Sequence, residues 1–285
     1  MSKRSPTFNE GDEPTPSRRF LPLLTLILII VVGAFIAAEL SRSVLVSLPT
    51  TRFPIGIPDT SEPSGLAPPG AQAIPGYIRT YVNDFVSSGV PKGWEVYQGV
   101  PGGDPEAHFG AHHVTQHGGE LLLETYRDKA YQDRWVTGGL CQCGLANTYG
   151  AYFVRSRFTT SGANEVELLW PKSNQWPPEI DFNETPSAHQ TTATFHWNYN
   201  NQTRQWIKGG IDNFAWHTWG VIWTPKAIEF ILDGRVWGVF KVAADIPNIP
   251  MILVLEQRTS CALNADCPHM PVQMQVDWVA EYHAK

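Results

Sequence analysis

Three acids stand within the six residues of "EIDFNE": Glu179, Asp181 and Glu184. The segment otherwise reads as a strand, and side chains two apart on a strand share a face. Glu179 and Asp181 therefore point the same way, and Glu184, three residues further on, points the opposite way in a regular strand. One extra residue at Phe182-Asn183, a β-bulge, returns Glu184 to the first face. Three carboxylates gathered on one face shift one another's protonation, which suits acid–base work or a structural network. The plain alternative is a solvated acidic edge strand. That alternative gives the acids no company, yet Trp176, Pro177 and Pro178 lead straight into them.

The surrounding chain supplies strands to hold such a group. After residue 75 short alternating runs are broken by Gly, Asn, Asp and Pro, as in "ELLLETY", "NEVELLW", "TTATFHWNY", "PMILVLEQ" and "VQMQVDWVAEY". Asp233-Gly234 between "IEFIL" and "RVWGVF" predicts a hairpin. Trp219, Val221 and Trp223 alternate onto one face and read as core. No long pattern of helical period follows residue 38. Many closely spaced strands predict an all-β sandwich of the jelly-roll type. The 285 residues carry a net charge of −6, and no basic run exceeds two residues. This argues against nucleic acid as a partner. Eleven Trp, 9 Tyr and 13 Phe are enough for a core and for flat faces against sugar rings.

Residues 20–38, "FLPLLTLILIIVVGAFIAA", carry no charge. As a helix they span roughly 28 Å, close to the hydrocarbon thickness of a bilayer. Arg18 and Arg19 precede them, so the expectation is a membrane anchor with residues 1–19 as a disordered cytoplasmic tail and the rest outside. Secretion after signal cleavage is the alternative, against which the run is long and no A-x-A site follows. Residues 39–75 are rich in Pro, Gly and Ser and predict a semi-extended stalk. Residues 76–285 form the folded domain. Its four cysteines then face an oxidising space. The spacing of Cys261 and Cys267 suits a disulfide closing a short loop, which leaves Cys141 and Cys143 as an unusual C-x-C pair or free thiols. Four-thiolate zinc is disfavoured because these spacings are not those of zinc sites. His108, His112, His113 and His117 raise a metal question, but strand alternation splits them between faces, and no metal site is expected there.

Residues 76–285 resemble glycoside hydrolase family 16, the laminarinase-like jelly-roll enzymes. "EIDFNE" fits the family's bulged E-x-D-x-x-E. "TYGAYFVRSRF", "LLWPKSNQWPPEIDF", "TFHW", "WHTWGVIWTPKAIEFILDG" and "VQMQVDWVAEY" follow in the family's order. The resemblance implies retaining hydrolysis of a β-linked polysaccharide by two carboxylates about 5–5.5 Å apart. It makes Glu179 the nucleophile and Glu184 the acid/base. Asp181 between them is a like charge that disfavours a second ionisation, and it can fix the Glu179 rotamer. His196 matches a histidine that approaches the catalytic sugar. Trp176 is the first choice for a stacking platform, although the family places its Trp slightly further upstream. Trp170 and Trp197 either line the cleft or pack in the sandwich. Arg155 is assigned to support of the cleft and Gln257 to a sugar hydrogen bond. Relatives carry calcium on the convex face, but no ligands for it are identified here, and no cofactor is expected. The expected protein is a monomeric endo-glycosidase with a β-1,3-glucan as leading substrate. The alternatives are a cell-wall transglycosylase and a non-catalytic carbohydrate-binding jelly roll.

Overall fold

A computed structural model of the chain describes residues 52–101, 107–259, 261 and 267–285. The apolar run 20–38 lies outside the described residues, and among these no helix is long and apolar enough to cross a membrane. The strands begin with β1 (Ile57–Pro58), β2 (Leu66–Ala67), β3 (Tyr77–Asn83), β4 (Glu95–Val96), β5 (Val114–His117) and β6 (Glu120–Asp128). Next come β7 (Arg134–Val136), β8 (Gly139–Cys141), β9 (Gly150–Phe158), β10 (Asn164–Pro171), β11 (Glu179–Ser187) and β12 (Gln190–Trp197). The series ends with β13 (Gln202–Gly209), β14 (His217–Trp223), β15 (Ile228–Leu232), β16 (Arg235–Phe240), β17 (Met251–Arg258) and β18 (Val272–Ala284).

Apart from β1 and β2, which pair only with each other, these strands make two stacked sheets, the expected β-sandwich. The front sheet runs β13-β12-β11-β10-β17-β8-β4, and the back sheet runs β16-β15-β14-β9-β18-β6-β5 with β3 added on β18. Their pairings are antiparallel, so opposed residues share a face. One alternating set from each sheet fills the space between them. Leu169, Ile180, Phe182, Phe195, Leu253 and Leu255 come from the front. Trp219, Val221 and Trp223 come from the back as expected, with Tyr152, Val154 and Phe230. The β15–β16 hairpin turns at Asp233 and Gly234, whose φ values of 46° and 73° are the left-handed pair that a tight two-residue turn requires.

The segment 39–75 departs from expectation. From residue 52 onward it is not a stalk but a strap laid on the outer face of the back sheet. Phe53 and Ile74 pack there with Phe153, Ile231, Trp278 and Tyr282. The indole of Trp278 donates to the Leu66 carbonyl at 2.8 Å, and the Tyr282 hydroxyl donates to the Pro69 and Gly70 carbonyls at 3.1 Å. Irregular backbone hides this role, since the strap shows no periodicity. The cause lies in the sheet: Phe153, Trp278 and Tyr282 point outward and would leave a large apolar patch in water.

Candidate active site

β11 carries its extra residue where the spacing of the acids requires it. Against β12, Glu179 faces His196, Asp181 faces Thr194 and Glu184 faces Thr192. The partners step evenly by two while the acids step by two and then three. Phe182 and Asn183 together oppose Ala193. Against β10 the same break falls between Glu167, which pairs Asn183, and Leu168, which pairs Asp181. All three carboxyl groups therefore rise from the outer face of the front sheet. Behind the bulge, Asn183 is buried and its side-chain Oδ1 accepts from the Thr191 hydroxyl at 2.7 Å. Glu165 and Glu167 of β10 also turn inward. Burial pushes both carboxyls up, that of Glu165 to about 7, and Ser156 donates to Glu167 at 2.6 Å.

Each acid has its own surroundings. The Trp176 indole donates to Glu179 Oε2 at 2.7 Å. The hydroxyls of Thr194 and Thr192 donate to Glu184 Oε2 at 2.5 and 3.1 Å. His196 Nε2 lies 3.6 Å from Asp181 Oδ2, and its Nδ1 is 2.8 Å from Asn201 Oδ1. Burial raises the Glu179 carboxyl, opposed by the Trp176 hydrogen bond and the nearby His196. Asp181 is pushed well above the usual range, first by burial and then by the charges of Glu179 and Glu184. Of the two, Asp181 is the group whose ionised form the surroundings disfavour more. Asp181 was expected as a like charge. That repulsion acts here on Asp181 itself, where burial adds to it.

The cleft floor is set by register across three strands. Trp170 and Leu168 of β10 oppose Ile252 and Val254 of β17, and Val166 opposes Glu256. Ile252, Val254, Glu256 and Arg258 line a hollow of about 330 Å³ beside Glu179, walled by Tyr97 and Phe109. Glu256 and Arg258 pair at 2.5 Å. A second hollow is lined by Trp176, Tyr199 and Pro250, and both hollows share Asn174. Joined at Asn174, they make a trough that Glu179 borders.

The His196 ring lies 5.6 Å from that of Trp176, and Trp170 and Trp176 line the trough. Three other expected residues do not. Gln257 is fully buried between the sheets and meets Thr125 at 2.9 Å. Its neighbours Glu256 and Arg258 hold the cleft positions instead, because alternation sends odd positions of β17 inward. Trp197 likewise turns to the interior, stacked on Phe195 at 5.0 Å. Arg155 belongs to the back sheet and binds the strap through Ser64 at 3.0 Å, with Thr218 at 3.2 Å. Glu256, Arg258 and Tyr97 were missed. Only the pairing of β17 with β10 reveals their facing, and no single strand pattern carries it.

Cys261 pairs with Cys267, and Cys141 with Cys143. Cys143 stands at the trough wall. On the outer side of the back sheet, Asp277 Oδ1 is buried without a hydrogen-bond partner, while Oδ2 accepts from the Ser64 amide at 3.2 Å. Burial and then the charges of Asp277 and Asp84 raise the Glu62 carboxyl. An unengaged carboxylate oxygen such as Asp277 Oδ1 is the kind of ligand atom a hard cation like calcium takes, but Glu62, Asp84 and Asp277 are not among the described groups whose ligand atoms converge. His112 and His113 converge on Asp128, away from the three acids.

A family model described as glycosyl hydrolases family 16 matches residues 104–280. A search of curated proteins finds no match. Among solved structures, the laminarinase catalytic domain from Thermotoga maritima shares 14% identity over 73% of this chain and 99% of that one, at a TM-score of 0.65. The LamA protein from Z. galactanivorans, solved with laminaritriose and laminaritetraose, shares 21% over 72% and 98%, at 0.62. A structure from work on endo-acting O-glycanases of the human gut microbiota shares 20% over 76% and 94%, at 0.66. At these identities the likeness is one of fold.

Proposed function

Because the chain belongs to glycosyl hydrolases family 16, we propose that it is a retaining endo-glycosidase whose leading substrate is a β-1,3-glucan. One observation carries this: the bulge at Phe182-Asn183 brings Glu179, Asp181 and Glu184 to one face, opposite His196, Thr194 and Thr192. In the first step the Glu179 carboxylate attacks the anomeric carbon while Glu184 gives its proton to the leaving glycosidic oxygen. In the second, Glu184 takes a proton from water, which attacks the same carbon and releases Glu179. Asp181, whose ionised form is the more disfavoured, donates to Glu179 and holds its rotamer. The hydrogen bond from Trp176 favours the ionised form that a nucleophile needs.

The trough supports endo action, since it extends from the hollow beside Glu179 into the one along Trp176 and Tyr199, room for a polymer rather than a chain end. Trp170 and Trp176 offer flat faces to pyranose rings. The bulged spacing and the laminarinase neighbours favour a β-1,3-glucan, and an O-glycanase neighbour keeps mucin-type chains in the test. We place the domain outside the cytoplasm, tethered through residues 20–38. The two disulfides support an oxidising compartment. The test is a panel of β-glucans, β-galactans and mucin glycans with product analysis. Internal cleavage of β-1,3-glucan with retained anomeric configuration is expected. Cleavage of another polymer alone corrects the substrate, transfer to sugar acceptors in preference to water makes it a transglycosylase, and no turnover of any polymer defeats the proposal.

A further inference from the structure

Two histidine rings and a carboxylate outside the trough aim at one point. His112 Nε2 lies 2.6 Å and His113 Nε2 3.3 Å from the same atom, Asp128 Oδ2. Both histidines sit on the single 3-10 turn Ala111–His113, and Asp128 ends β6. Ligand atoms of the three residues all lie within 4.8 Å of one another.

The hydrogen bonding around His113 defines which nitrogen is free. Its Nδ1 is 3.0 Å from the Glu124 carbonyl oxygen. A carbonyl has no proton to give, so Nδ1 carries the N–H and donates. In the neutral ring, Nε2 then presents a lone pair, and it presents it to a carboxylate oxygen. Two acceptors facing each other in a buried place need a cation or a proton between them. The ring cannot turn away: it is fully buried and stacked on Tyr126 at 3.9 Å. The other carboxylate oxygen is also engaged, accepting from the Ala130 amide at 2.8 Å. A histidine whose far nitrogen is tied to a backbone carbonyl is the arrangement that orients imidazoles on metals.

We propose that His112, His113 and Asp128 bind a divalent transition metal ion, zinc foremost. Two imidazoles with one carboxylate suit zinc, leaving a fourth position for water on the side where His112 is half exposed. With metal–ligand bonds of about 2.0–2.1 Å at tetrahedral angles, neighbouring ligand atoms lie about 3.3 Å apart. The His113–Asp128 distance already has that value. The His112–Asp128 distance of 2.6 Å must open by about 0.7 Å, and the exposed His112 side chain is free to turn. The ion would clasp the turn to the end of β6. The turn leads directly from Phe109, which walls the trough, and its Ala111 amide donates to Gln98 of the same wall at 2.9 Å. The site would therefore brace one side of the substrate trough without touching the reacting atoms.

The test uses the untagged full chain, stripped with chelator and titrated with zinc chloride near neutral pH by calorimetry. One ion per chain is expected, with a Kd tighter than roughly 10 μM. The His112→Ala and Asp128→Asn variants should each weaken binding at least tenfold. His112→Ala changes an exposed side chain, and Asp128→Asn keeps an oxygen for the Ala130 amide, so circular dichroism should show both folded. His117→Ala, outside the cluster, should bind like wild type. Cobalt(II) should give the visible absorption of a four-coordinate site, lost in His112→Ala. Absence of binding by the wild type, or binding unchanged in His112→Ala, would overturn the assignment and leave a cluster held together by a proton.

Discussion

Replacing Trp176 with phenylalanine separates two tasks that one side chain performs in this account. The indole donates to Glu179 Oε2 at 2.7 Å and also offers a face to the sugar. Phenylalanine keeps a face and loses the donor. A hydrogen bond to a charged group is worth about 1.5–3 kcal/mol. Trp176 is 43% exposed, so water screens the bond and the low end, about 1.5 kcal/mol, applies. The bond acts only on ionised Glu179, and 1.36 kcal/mol corresponds to one pKa unit. Its loss should therefore raise the Glu179 pKa by about one unit, adding to the rise that burial already causes. The assay is kcat/KM against pH on a soluble β-1,3-glucan oligosaccharide, which reports ionisations of the free enzyme. The acidic limb should move to higher pH by about one unit. A lower plateau with an unmoved limb would refute the electrostatic role and leave Trp176 as a sugar platform alone.

Three further outcomes follow from the same structure. Glu184→Ala should slow substrates with poor leaving groups most, and azide should give it a glycosyl azide of retained configuration, read by NMR; an inverted product would reassign the residue. Phe53→Ala should destabilise the domain by about 3 kcal/mol, or roughly 6–12 °C in Tm, if the strap seals the back sheet; an unchanged melting curve would make the strap incidental. Burial raises Glu281 to about 7, so the folded state holds this proton after the unfolded chain has released it. Its contribution is complete below the unfolded value of about 4.5 and falls by about 3 kcal/mol as pH rises through about 7. In denaturant unfolding at about pH 5 and about pH 7, Glu281→Gln should flatten this part of the slope, and an unchanged slope would mean that Glu281 ionises normally.

The acids were legible because strand alternation is strict. A spacing of two and then three on one strand demands a bulge if all three are to face one way, and β11 has it at Phe182-Asn183. The hairpin at Asp233-Gly234 was legible because few residues tolerate its backbone. The rest depends on pairing between distant segments. Gln257 and Glu256 differ by one position, and only the registration of Glu256 on Val166 decides which faces the trough. Arg155 reads as a cleft support until β9 is placed in the other sheet. The strap lacks any periodic signal, since an irregular segment held by carbonyls and a few apolar side chains looks like a linker. His112 and His113 are split by alternation on a strand, but a 3-10 turn brings both rings to Asp128.

The central claim is that β11 carries the nucleophile. Turnover of a verified polysaccharide substrate by Glu179→Ala, with and without azide, tests it most directly. The account predicts loss of turnover without azide, and with azide a glycosyl azide of inverted configuration formed in the space the carboxylate vacates. Cleavage by Glu179→Ala at the wild-type rate would contradict it.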